Sequence, residues 1–191
     1  MSLFFNVLPA VAFSVMAASG TSFEPGGLEY QKETVNLTLS DNETEFSATY
    51  SDFGSKEEKS LNRKRDLDYL KNAVVTRVFI KEAADHGVEI LDRRLDYNNY
   101  NVGIFVKAKA KQISRLFEVF ALYEVEFDDM LYIIPLNGTV TQATLSGEGK
   151  IMVRNDRYAF AWPLNTPNIS FTAVYKTTGV SFSSELSKVK K

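Results

Sequence analysis

Apolar and polar residues alternate at period two along most of this chain, the spacing of a half-buried β-strand. Leu28, Tyr30, Val35, Leu37 and Leu39 run into the polar turn Ser40-Asp41-Asn42-Glu43, and Phe46, Ala48 and Tyr50 follow. That is the signature of a β-hairpin with one buried face. Tyr100, Val102, Ile104, Val106, Ala108 and Ala110 alternate with Asn101, Gly103, Phe105, Lys107, Lys109 and Lys111. Phe117, Val119, Ala121, Tyr123, Val125 and Phe127 make a second long run, with Glu118, Glu124 and Glu126 on the opposite face. Shorter strands are expected at Met130–Ile134, Val140–Leu145, Lys150–Val153, Tyr158–Trp162, Ile169–Tyr175 and Val180–Leu186. Asp128-Asp129, Asn137-Gly138, Gly147 to Gly149 and Asn155-Asp156 separate them as turns.

One interval has a different period. Leu67, Leu70, Val74 and Val78 recur at helical spacing, with Ala73 and Ala83 beside the stripe and charged residues on the other faces. Gly87 is placed as a C-cap. The spacing predicts a helix from Leu61 to His86, whose β-branched centre (AVVTRVFI) is its weak point. A strand through Ala73–Ile80 is the alternative. The expected fold class is therefore α+β, with one long amphipathic helix packed on a curved antiparallel β-meander.

The first residues point to a compartment. Leu3 to Ala18 is apolar apart from Asn6 and Ser14, no charged side chain precedes Glu24, and Ala17, Ala18, Ser19 and Gly20 supply the small residues a signal peptidase accepts. The run is too short and interrupted for a spanning helix, which needs about 20 apolar residues. Residues 1–20 read as a signal peptide and 21–191 as a single α+β domain. The alternative is a buried N-terminal strand or helix of the mature fold. Four N-glycosylation patterns, at Asn36, Asn42, Asn137 and Asn168, lean the same way. An extracellular, secreted protein is expected, with a bacterial periplasm as the alternative.

Composition narrows the chemistry. The chain has 191 residues with no cysteine, the single histidine His86 and a formal net charge of −2. Disulfide frameworks, cysteine nucleophiles, thiolate zinc sites and multi-histidine metal centres are excluded. No G-x-S-x-G elbow accompanies His86, which reads as a helix-end residue. Glu124 with Glu126, and Asp128 with Asp129, are carboxylate pairs with the look of a solvated strand face and a turn. Ser146-Gly-Glu-Gly-Lys150 lies between strands with no helix after it, so it is a turn and not a phosphate cradle. Lys107, Lys109, Lys111 and Arg115 form a basic row with only Phe105 interleaved, which lacks the stacking aromatics of a nucleic-acid groove. No catalytic residue, cofactor, metal or nucleic-acid partner is expected.

A stretch of the sheet region resembles a known family. Tyr123, Val125, Leu131, Pro135, Leu136, Gly138, Gly147, Gly149, Lys150 and Val153 match the Y-x-V…L-x-x-x-P-L-x-G…G-x-G-K-x-x-V pattern of the arthropod takeout and juvenile-hormone-binding proteins. Those are similar to the wider TULIP lipid-binding group, and the resemblance implies a curved sheet wrapped on a long helix around an apolar ligand. This chain lacks the family's N-terminal cysteine pair and stops earlier. The expected function is a non-enzymatic binding protein for a hydrophobic or lipid-like ligand held between helix and sheet. Leu67, Leu70, Val74 and Val78 would line one wall, and Tyr123, Val125, Ile133 and Phe160 the other. The alternative is a structural or adhesive β-rich surface module that binds protein or glycan through exposed strands.

Overall fold

The computed structural model describes residues 27–75, 77–97, 101–120, 123–136 and 138–182. Their order is β1 Leu28–Leu39, β2 Thr44–Ser55, α1 Ser60–Val75, α2 Arg77–Asp85, β3 Val88–Tyr97, β4 Val102–Ala110, α3 Ile113–Phe120, β5 Tyr123–Phe127 and β6 Leu131–Pro135. There follow β7 Val140–Leu145, β8 Lys150–Arg154, β9 Arg157–Trp162, β10 Asn168–Tyr175 and β11 Val180–Ser181. The signal-peptide segment and the end of the last expected strand lie outside the described residues.

All described pairings are antiparallel, in two sheets. The larger runs β3-β4-β2-β1-β10-β7, with β11 joining β2, and the smaller runs β5-β6-β9-β8. Aromatic rings carry the contact between them. Phe171 of β10 meets Phe160 and Trp162 of β9 and Tyr123 of β5 at centroid distances of 4.8, 6.2 and 5.7 Å. On the flank, Phe117 of α3 packs edge-on to Tyr123 at 4.9 Å and to Phe46 of β2 at 6.1 Å.

This corrects the expected α+β fold, because the described residues are mostly β and include no long amphipathic helix. Over the 61–86 interval, Ser60–Val75 and Arg77–Asp85 do wind helically, as α1 and α2. The first turns of α1, however, carry Asn62, Arg63, Lys64 and Arg65, and Leu61 is 63% exposed. Asp66 is buried, but apolar burial begins only at Leu67, Tyr69 and Leu70, too late for a continuous apolar stripe along the whole span. The sheet is not a simple meander either. β1 sits between β2 and β10, so strands far apart in sequence become neighbours, which local alternation cannot reveal.

A second correction concerns Phe117–Phe127, expected as one strand. Its first part belongs to α3, since Ile113, Leu116 and Phe117 bury one face at helical spacing while Ser114, Arg115 and Glu118 face outward. Among its described residues only Tyr123–Phe127 is strand.

One irregularity shapes the core. Along β1 the buried face changes phase between Tyr30 and Glu33, and along β2 between Tyr50 and Phe53, while the β1–β2 register continues unshifted. Asp52 adopts a left-handed φ of 60° at that level. The hairpin therefore turns different faces to the core in its two halves, and Glu33 comes to point inward.

Candidate functional site

At the end of the β1–β2 hairpin the two sheets leave a groove of about 670 Å³. One wall is the hairpin turn, with Leu39, Ser40, Asp41 and Thr44; the other includes Phe127 at the end of β5. The start of α3 contributes Gln112, Ile113 and Ser114, and the β9–β10 loop contributes Leu164 to Pro167. The walls are fixed by local hydrogen bonds. The Ser40 hydroxyl donates to the Glu43 carbonyl at 2.7 Å, and the Leu39 N–H donates to the Pro167 carbonyl at 2.7 Å. Phe127 is 61% and Leu164 50% exposed, so two large apolar side chains stand open to solvent amid neutral hydroxyl and amide groups. Asp41 is the one charged residue of the lining.

A second feature lies in the core. Glu33 of β1 is 0% exposed and accepts hydrogen bonds from three phenols. Oε2 takes those of Tyr123 at 2.6 Å and Tyr30 at 3.1 Å, and Oε1 takes that of Tyr175. Tyr50 stands opposite Glu33 in the β1–β2 register, and its buried hydroxyl makes no hydrogen bond among the described residues. The Tyr30 ring meets Tyr50 at 5.1 Å and Tyr175 at 5.6 Å, both edge-on. Four of the nine tyrosines thus surround one carboxyl. Burial pushes Glu33 up to about 7, although the Tyr123, Tyr175 and Tyr30 hydroxyls pull the other way. Burial first, and then the charge of Glu33, raises the phenols of Tyr30, Tyr50, Tyr123 and Tyr175.

Most of the residues expected to line a ligand site are in the packed core. Leu67, Leu70, Tyr123, Ile133 and Phe160 belong to one buried cluster, and Val125 packs half-buried against it. Val74 lies in α1 and Val78 in α2, with side chains outside the described set. None of the six whose side chains are described lines the groove. Among the glycosylation candidates, Asn36, Asn42 and Asn168 are exposed, and Asn137 lies outside the described residues.

Most charges of the acidic and basic rows are paired, largely with residues outside those rows. Arg154 pairs with Glu126 and Asp128, Arg157 with Glu124, and the Arg154 guanidinium lies 4.1 Å from the Tyr132 ring centroid. Lys107 pairs with Glu45, Lys109 with Glu43 and Glu89, and Arg115 with Glu118. No cluster of three potential metal ligands occurs among the described residues. None of their helices is long and apolar enough to cross a membrane.

Sequence reasoning missed Glu33, Phe127 and Leu164. For Glu33 a signal exists, because stepping back by two from Leu39, Leu37 and Val35 lands on it. Comparison with protein families, with characterised proteins and with solved structures finds no match to this chain.

Proposed function

We propose that the protein is a secreted, non-enzymatic binding protein for an apolar or lipid-like ligand, which it takes up in the groove between the ends of the two sheets. The observation that carries this reading is the pair Phe127 and Leu164, large apolar side chains at least half exposed on a groove of about 670 Å³. That volume lies in the range of small-molecule sites, which combine apolar walls with a few polar groups. Ser40, Thr44, Gln112, Ser114, Asn165 and Thr166 offer hydrogen bonds without net charge. The apolar N-terminal stretch and the exposed Asn36, Asn42 and Asn168 support a secretory route.

Titration with the neutral fluorophore N-phenyl-1-naphthylamine tests the reading, with a long-chain fatty acid as competitor. Saturable binding is expected, and Phe127→Ala should weaken it about tenfold through lost apolar contact. Absence of saturable binding, or binding indifferent to Phe127→Ala combined with Leu164→Ala, refutes it.

One feature favours a second reading, a structural or adhesive module that pairs through its strands. β8 is an edge strand, and Ile151 and Val153 on it are exposed beside Tyr158. Light scattering separates the two: a strand-paired oligomer that Val153→Lys dissociates supports the second, and a monomer that binds the fluorophore supports the first.

A further inference from the structure

The strands that carry the two walls of the groove meet again in the core. β1 reaches the groove at Leu39 and β5 reaches it at Phe127. Further back, β1 carries Glu33 and β5 begins with Tyr123, whose hydroxyl donates to Glu33 Oε2 at 2.6 Å. This bond crosses from the larger sheet to the smaller, and both residues are buried. We propose that Glu33 and Tyr123 form a protonation-controlled latch between β1 and β5: the neutral carboxyl keeps the groove walls together, and the ionised one favours their parting. The latch rests on the groove reading only for its effect on ligand, and the structural device stands apart from it.

The physical case begins with what faces Glu33. Tyr30 from β1, Tyr50 from β2, Tyr123 from β5 and Tyr175 from β10 surround it. All four are phenols held above their ordinary range, so they stay neutral while the carboxyl titrates. No cation is paired with Glu33 among the described residues. The charged form therefore has three hydroxyl donors and no counter-ion, in a site closed to water. The neutral form fits the site better, since its own O–H can donate to a phenol oxygen and no charge is left buried. A state in which β5 moves away admits water to Glu33 and restores its ordinary proton affinity. Rising pH must favour that state by linkage. Tyr123 is the group that leaves with β5, so the motion is directed at the wall that carries Phe127.

Residue-resolved amide hydrogen exchange on the full chain tests the latch, with intrinsic rates corrected for pH. In the wild type, protection over Tyr123–Phe127 should lie below that of β3 and β4, reporting an opening short of global unfolding, and should fall about tenfold between about pH 6 and about pH 8.5. In Glu33→Gln the same amides should show no such fall. Tyr123→Phe keeps the ring, removes the bond, and should lower β5 protection already at the acid end. Exchange of the β5 amides only at the free energy of global unfolding, or a fall that persists in Glu33→Gln, overturns the latch. N-phenyl-1-naphthylamine affinity should follow the same pH course in the wild type and be flat in Glu33→Gln. If the fluorophore binds at no pH, the groove reading fails and the exchange data alone decide the latch.

Discussion

Two glycines in one turn should respond to the same substitution to different extents and for different reasons. Between β7 and β8 the chain leaves the larger sheet and enters the smaller within Ser146–Gly149. Ser146 ties the crossing down: its N–H donates to the Ser170 carbonyl, its hydroxyl oxygen accepts the Ser170 N–H, and its carbonyl accepts the Trp162 indole N–H at 3.1 Å. A Cβ added at Gly149 would lie 2.6 Å from Trp162 Nε1 and 2.8 Å from Leu145 Cβ. Trp162 is fully buried against Phe171, so its ring has no open space to swing into. Overpacking of this kind costs about 1–3 kcal/mol, and a displaced indole hydrogen bond adds about 1 kcal/mol. Gly149→Ala should therefore cost about 2–4 kcal/mol. At Gly147 the φ is +55° and nothing lies within 4 Å of an added Cβ. Gly147→Ala meets only the left-handed penalty of about 1–2 kcal/mol, partly offset by the lower entropy of the unfolded chain. Urea unfolding followed by tryptophan fluorescence is the assay, because Trp162 is the only tryptophan and sits at the clash. A Gly149→Ala variant no less stable than Gly147→Ala would refute the packing argument.

Glu33 also sets a pH dependence of global stability. Its value rises from 4.5 to about 7 on folding, so stability is full below pH 4.5, declines between 4.5 and about 7, and is level above. The total is about 3 kcal/mol, and Glu33→Gln should abolish the decline in denaturation series run across that range. On the outer face of the smaller sheet, Arg154→Met keeps an alkyl cover over Tyr132 but loses the pairs to Glu126 and Asp128. It should unfold at lower urea than the wild type and at higher urea than Arg154→Ala, and the gap from wild type should shrink in high salt.

Much of the sheet was legible from alternation alone. β1 and β2 follow the expected hairpin, and β4, β6, β7, β8, β9 and β10 lie within a few residues of their expected spans. Each pairs in a half-buried sheet, where period two is enforced by the two faces having different surroundings. The segment before β5 misled because Phe117, Val119 and Tyr123 fit period two, while Ile113, Leu116 and Phe117 fit the helix as well. Short apolar runs satisfy both periods, and α3 is decided by the tertiary contact of Phe117 with Phe46. The groove was not legible, because its walls come from a hairpin turn, a helix start, a strand end and a loop that only the β1–β10 neighbourhood brings together.

Glu33 shows why a charged residue at an inward position resists sequence reading and yet carries information. Leu28 and Tyr30 fix one phase for β1, and Val35, Leu37 and Leu39 fix the other. Either phase taken alone is a regular strand, and Glu33 falls outward on the first and inward on the second. Only the change of face shared by β1 and β2 near Asp52 selects the second. An inward carboxyl without donors would cost several kcal/mol. Here the strands β1, β5 and β10 each bring a tyrosine hydroxyl to it, from positions up to 142 residues apart in sequence. Valine or leucine would fill the same place without that arrangement, continuing the row of Val35 and Leu37. What an apolar residue lacks is a proton to lose near neutral pH. The three tyrosines convert a costly burial into a group that titrates between the two sheets, and that property ties the core of this protein to its open groove.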